Sequence, residues 1–299
     1  MAVLTSPMTP ALHAPPWPTA APIGAPTSTS TPGVDPVHHA WYPLSPCGAS
    51  CFDDELPRGA GRVLVAARMA RLIATMLTLA ILGPLIALGP RMIRRRFLSR
   101  AARGLLRALG VTVMVDDLRP FPGRMRGLVV ANHISFLDIL ALAVICPAHF
   151  VAKSDIAAMP VVSGLARRLG IITIDRAALR ELPGAVRTAV DGLHRDSSVA
   201  VFPEGTTRCG REPGRFRPAF FQAAIDAGVP VLPVRLRFAT AGGVTTTAPS
   251  FIGTDTPAHT LRRVLRMRGL TVHIRVHEMQ IADVDRRTLA ARCERIIAA

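Results

Sequence analysis

The sequence predicts an α/β fold, a mostly parallel sheet covered by helices on both faces. Short, β-branched apolar runs alternate along the chain with stretches of helical periodicity, the pattern of strands joined by helical crossovers. Several of the apolar runs end in charged or hydroxyl residues, as strands do where a parallel sheet builds a site at its carboxyl edge. The 299 residues are 49% hydrophobic, ample material for one large domain with extras or two modest ones, and no internal repeat is found.

Residues 1–57 are dominated by Pro, Ala, Ser and Thr, too poor in apolar residues to offset the entropy of ordering, and are expected to be a disordered leader. They lack the basic start and apolar core of a signal peptide. Residues 58–96 form the next segment, a membrane-associated helical stretch. Within it Leu72 to Pro90 carries no charge over 19 residues, close to the ~20 needed to span a bilayer core. Gly83-Pro84 is expected to break the run and Gly89-Pro90 to close it. Arginines flank it on both sides, Arg58, Arg62, Arg68 and Arg71 before it and Arg91, Arg94, Arg95, Arg96, Arg100 and Arg103 after it. Because basic flanks stay on the cytoplasmic side, a re-entrant or monotopic segment suits them better than a single span, and a buried core helix is the bland alternative. Either membrane arrangement puts the protein at the cytoplasmic face of the cell membrane.

Residues 97–299 are expected to form the main folded domain. An amphipathic helix over 97–110 ends at Gly110, followed by a strand at 111–115. The run 127–131 is a buried strand, then a helix starts near Ser135 and reaches about Ile145. Strands follow at 149–153, 170–176, 199–205, 229–238 and 271–278, and helices at 159–169, 177–194, 218–227 and 285–297.

The formal charge is +16, from 36 basic and 20 acidic residues, and Lys153 is the only lysine. An arginine-rich surface of this kind suits an anionic partner, through a rigid fork that matches phosphate. Aromatic residues are only 5%, poor material for base stacking, so an anionic membrane surface is expected rather than nucleic acid. The five cysteines contain no C-x-x-C pair and no ligand spacing with histidine, and are read as free thiols in a reducing compartment with no disulfide framework and no metal site; Cys47 and Cys51 are the one pair that coordination would use.

The candidate chemistry begins at His133, where the strand 127–131 hands over to a helix, with Asp138 in that helix's first turn. A carboxylate on one ring nitrogen fixes the tautomer and leaves the other nitrogen free as a base. Ser135-x-x-Asp138 is equally a capping-box pattern, in which Asp138 serves backbone N–H groups. Asp175-Arg176 and Phe202-Pro203-Glu204-Gly205-Thr206-Thr207-Arg208 end two further strands on the same expected edge. Gly205 admits close backbone approach, Thr206 and Thr207 offer hydroxyls, and Arg176 and Arg208 offer forks for phosphate, with Lys153 at the end of another strand.

Asn132-His133-x4-Asp138, Gly170-x3-Ile174-Asp175-Arg176, Phe202-Pro-Glu-Gly-Thr206 and Val229-Pro-x2-Pro-Val234 resemble, in order and spacing, the four blocks of the 1-acylglycerol-3-phosphate acyltransferases over about residues 97–240. The resemblance implies a glycerolphosphate-acyltransferase-like fold and transfer of a fatty acyl group from acyl-CoA or acyl carrier protein to the sn-2 hydroxyl of 1-acylglycerol-3-phosphate, giving phosphatidate. His133 would be the general base and Asp138 its partner, while phosphate-binding roles would fall on Arg176, Glu204 and Gly205, with no cofactor and no metal. A thioester is already reactive, and the chain has no Gly-x-Ser-x-Gly elbow, so direct transfer is preferred over a covalent serine mechanism. Members acting on lysophosphatidate often carry arginine directly after Glu-Gly-Thr, where this chain has Thr207 before Arg208. Acylation of another lysolipid, such as lyso-ornithine lipid, is therefore the alternative, and a non-catalytic basic membrane-binding protein is the reading from a different class.

Overall fold

The structure is a computed structural model that describes residues 45–52, 59–121, 123–153, 172–174, 179–195, 198–211, 214–253 and 255–299; at Ala49, Ala152, Lys153, Thr173, Ile174 and Leu179 it describes the backbone alone. Seven strands build one sheet: β1 (Val111–Asp117), β2 (Gly127–Ala131), β3 (His149–Lys153), β4 (Ile172–Ile174), β5 (Ser198–Val201), β6 (Val231–Ala239) and β7 (Leu270–Val276). Their order is β1-β7-β6-β2-β5-β3-β4, and every neighbouring pair is parallel except β6 and β7. The expected mostly parallel sheet is therefore present, with one antiparallel step.

The helices are α1 (Arg62–Ala87), α2 (Arg91–Leu109), α3 (Leu137–Ile145), α4 (Leu182–His194), α5 (Phe221–Asp226), α6 (Pro257–Arg266) and α7 (Arg286–Ala298). Strand β2 explains the two-layer arrangement. Its residues Leu128, Val129, Val130 and Ala131 are all 0% exposed, and they alternate between two cores. Val129 and Ala131 join the layer that holds Leu106 of α2, Leu137 and Leu142 of α3 and Val264 of α6; Leu128 and Val130 join the layer of Leu193 of α4, Phe221 of α5 and Leu289 and Ile297 of α7. Each such buried aliphatic side chain contributes about 1.5–3 kcal/mol. Helix α6 was not anticipated, although Thr256 caps it by accepting from the His259 N–H at 3.2 Å and Pro257 opens it.

Helices α1 and α2 form an antiparallel hairpin, with Gly104 against Thr75 and Gly110 against Arg68. The hairpin is fastened to the domain by the buried Arg68, whose Nη1 donates to the carbonyls of Leu265 (2.9 Å) and Met267 (2.5 Å). Gly110, in the left-handed region at φ 80°, ends α2, and any side chain there would collide with the Arg68 guanidinium. The expected break at Gly83-Pro84 does not occur: α1 runs through Pro84, which lies in its last turn, where a proline removes little of the helical ladder. Among the described residues α1 is the one helix long and apolar enough to cross a membrane, and Ile73, Met76, Leu77, Ile81, Leu82 and Leu85 stand exposed along it.

Residues 45–52 fall within the stretch expected to be a disordered leader, yet they form a short 3-10 turn, Ala49–Cys51, that packs on the domain. Their apolar and aromatic content is low, and what holds them is specific: the Phe52 ring lies under the Arg263 guanidinium at 4.4 Å, and Cys47 accepts a hydrogen bond from the Cys209 N–H. The expected helix at 159–169 and Asp175-Arg176 lie outside the described residues.

Candidate active site

At the end of β2 the backbone must leave the sheet without orphaning its neighbour. Asn132 does this with its side chain: Nδ2 donates to the Leu236 carbonyl at 3.0 Å, and Oδ1 accepts from the Leu236 N–H at 2.7 Å. The amide thus replaces one step of the β2–β6 ladder, and the chain turns at His133.

Asp138 is fully buried in the first turn of α3, and one of its oxygens does three jobs. Oδ2 lies 2.8 Å from His133 Nδ1 and accepts the backbone N–H groups of Ile134 at 2.5 Å and Ser135 at 2.8 Å. The two readings of Asp138, imidazole partner and helix-start acceptor, are both correct. An Asp on Nδ1 fixes the tautomer with Nε2 as the open nitrogen and stabilises the imidazolium once that nitrogen takes a proton. The imidazole is 17% exposed and stacks on the Phe202 ring, with centroids 4.0 Å apart and planes 12° from parallel.

Phe202 follows β5, whose carboxyl end lies beside that of β2 in the parallel pair. From there the chain turns at Gly205 (φ 76°), whose N–H donates to the Phe202 carbonyl at 3.1 Å. It then returns to the histidine: the Arg208 N–H donates to the His133 carbonyl at 2.8 Å, and the Phe251 N–H donates to the Ile134 carbonyl at 2.9 Å. Glu204 is 5% exposed; its Oε1 accepts the Gly214 N–H at 3.1 Å, and its Oε2 lies 3.7 Å from Arg208 Nε. Burial pushes the Glu204 carboxyl up to about 7, against the pull of the Gly214 N–H and Arg208. At 3.7 Å the Arg208 and Glu204 groups attract without a hydrogen bond, and the Arg208 side chain is 32% exposed.

Of the residues singled out in the sequence, His133, Asp138, Glu204, Gly205, Thr206, Thr207 and Arg208 share this edge. Thr207 differs from its expected role, because its hydroxyl donates to the Phe251 carbonyl and ties two loops together instead of offering a proton to a ligand. Lys153 ends β3, which runs parallel to β5 and β4, so its backbone reaches the same edge; its side chain and Arg176 lie outside what is described. Asn132, Phe202 and Gly214 were not singled out, and only Phe202 and Asn132 stood inside the recognised motifs.

A cavity of about 770 Å³ lies elsewhere, at the far end of α3 beside Arg95, Arg100 and Arg103 of α2 and Arg124. The cysteines show one proximity beyond the pair named from the sequence. Cys47, Cys51 and Cys209 converge, with sulfurs all within 4.8 Å of one another, a proximity no linear spacing reveals because Cys209 comes from the loop after β5. Burial pushes the Cys209 thiol up to about 12.

Residues 112–237 match the family described as Acyltransferase. The chain is 36% identical over 211 residues to the 1-acyl-sn-glycerol-3-phosphate acyltransferase of Neisseria meningitidis serogroup B, across 69% of this chain and 81% of that protein. It is 33% identical over 186 residues to the lyso-ornithine lipid O-acyltransferase of Pseudomonas aeruginosa, across 60% and 71%. The crystal structure of the 1-acyl-sn-glycerophosphate acyltransferase PlsC from Thermotoga maritima shares the fold, with a TM-score of 0.55 at 21% identity over 78% of this chain and 95% of that one.

Proposed function

The chain belongs to the 1-acyl-sn-glycerol-3-phosphate acyltransferase family, and from that premise we propose how its site works. It is an acyltransferase that acylates the sn-2 hydroxyl of 1-acylglycerol-3-phosphate to give phosphatidate. The acyl donor in this reading is a thioester, acyl-CoA or acyl carrier protein. His133 Nε2 takes the hydroxyl proton as the oxygen attacks the thioester carbonyl, while Asp138 stabilises the imidazolium. When the tetrahedral intermediate collapses, the same proton passes to the leaving thiolate, so the base is regenerated and no covalent enzyme intermediate is needed. Arg208 supplies charge for the phosphate, joined in this reading by Arg176 and Lys153, and the buried Glu204 holds the Arg208 loop. The site residues need no cofactor.

The observation that carries this reading is Asp138 Oδ2 at 2.8 Å from His133 Nδ1, which arms the opposite nitrogen at the sheet edge. The test offers the purified protein labelled acyl-CoA with lysophosphatidate, lyso-ornithine lipid or lysophosphatidylglycerol in parallel. Product from lysophosphatidate, abolished in His133→Ala, is expected. Product from lyso-ornithine lipid alone favours the second reading, which the Pseudomonas relative and the commitment of Thr207 to Phe251 support.

The protein is membrane-associated through α1. In this proposal the hairpin lies at the cytoplasmic face as a monotopic element, its exposed apolar side chains in the acyl region and the arginines of α2 at anionic headgroups. The return of α2 to the domain supports this over a single span, because both ends of the hairpin then stay on one side.

A further inference from the structure

Outside the acyl-transfer machinery, one cluster brings together three thiols from residues far apart in sequence. Cys47 and Cys51 lie four residues apart, Cys51 in the turn Ala49–Cys51 and Cys47 two residues before it, and the Cys51 N–H closes the turn by donating to the Gly48 carbonyl at 3.0 Å. The third thiol, Cys209, comes from the loop that carries Glu204 and Arg208. All three sulfurs lie within 4.8 Å of one another. Tetrahedral coordination at a zinc–sulfur distance of about 2.3 Å needs sulfurs roughly 3.8 Å apart, so closing the cluster takes side-chain rotations of about an ångström.

The surroundings are those of a ligand shell. The Cys209 N–H points at the Cys47 sulfur at 3.4 Å, and a backbone donor of this kind stabilises a thiolate. Cys209 is itself fixed by the Ser250 hydroxyl, which donates to its carbonyl at 3.0 Å. The approach is close enough that a Cβ added at Gly253 would stand 3.7 Å from Gly48 and 3.8 Å from the Cys47 carbonyl oxygen. We propose that Cys47, Cys51 and Cys209 form a three-thiolate site for a thiophilic divalent cation of the zinc class, which clips residues 45–52 onto the Glu204–Arg208 loop. Each thiol gives up its proton to solvent as its sulfur binds the cation, and a water completes the fourth position. The complex then carries one net negative charge, which a chain of +16 accommodates. Three thiols fit a cation better than a disulfide, which would consume two and strand the third. The clip fixes a segment next to the loop whose backbone bonds His133, so occupancy rigidifies the edge where the acyl transfer takes place.

The test uses the full chain, purified under reductant, stripped with a chelator and titrated with zinc(II) and cobalt(II). One zinc per chain is expected, with thiolate-to-cobalt charge-transfer bands in the near ultraviolet and tetrahedral bands in the visible. Cys47→Ser and Cys51→Ser, both on the docked segment and so without cost to the core, should each weaken zinc binding by at least about tenfold, while Cys146→Ala leaves it unchanged. Three outcomes overturn the proposal: absence of thiolate–cobalt bands, zinc binding indifferent to both serine variants, or, in protein alkylated without reduction, a disulfide-linked peptide joining Cys209 to Cys47 or Cys51.

Discussion

Arg208 gives its backbone N–H to the carbonyl oxygen of His133 at 2.8 Å, so the loop that carries the Arg208 guanidinium and the turn that carries the His133 imidazole are tied to each other. Loss of either contact partner therefore disturbs both substrate charge and proton transfer, and variants must be chosen to separate them.

His133→Ala removes the base and little else, since the imidazole is partly exposed and its removal opens no sealed core. Acyl transfer should fall by about 10²–10⁴-fold with thermal midpoint and vesicle flotation unchanged. Residual turnover within a factor of two of the parent would show that another group takes the proton.

Asp138→Asn keeps the shape but removes the charge that one oxygen shares among three donors. Turnover should drop by about 10³-fold with KM for the acceptor little altered, and unfolding in urea should show a loss of about 2 kcal/mol, because hydrogen bonds to a charged acceptor weaken. Stability lost without turnover would assign Asp138 to the helix start alone.

Gly214→Ala addresses Arg208. A methyl at Gly214 would sit 2.1 Å from Arg208 Nε, so the guanidinium must swing off Glu204 while the backbone stays where it is. Losing one charged contact of about 1.5 kcal/mol should raise the KM for lysophosphatidate roughly tenfold with kcat nearly constant. An unaltered KM would remove Arg208 from phosphate recognition.

Glu204 makes stability depend on pH. Its carboxyl is raised from 4.5 to about 7, so the folded state holds the proton more tightly than the unfolded chain. The stabilisation is fully present below about pH 4.5, is lost as pH rises through about 7, and amounts to at most about 3 kcal/mol. Urea melts of the parent at pH 5 and pH 8 should differ more than those of Glu204→Gln; identical differences would mean that the buried carboxyl titrates normally.

Asn132→Ala strips Leu236 of both partners in a buried position, and unfolding should become easier by about 2–3 kcal/mol. Hydrogen exchange at the Leu236 amide would report the same loss locally.

The sheet was legible because β2 and β5 are buried along their whole length, the signature of central parallel strands. The pairing of β7 against β6 was not, since the alternating burial of Leu270–Val276 reads the same in either direction. Helix α6 was missed although Thr256-Pro257 announces its start; its arginine-rich face hides the apolar stripe of Leu261, Val264 and Leu265. At the site, His133 and Asp138 were legible because chemistry dictates their spacing. The Phe202 stack and the bridging by Asn132 depend on which strands become neighbours, which no local pattern encodes.

The single carboxylate oxygen of Asp138 has one more consequence. Because it closes the turn into α3 and grips the imidazole at once, the same contact that shapes this segment also sets the orientation of the histidine. A substitution that disturbs this turn is therefore expected to misplace the imidazole as well as weaken the start of α3.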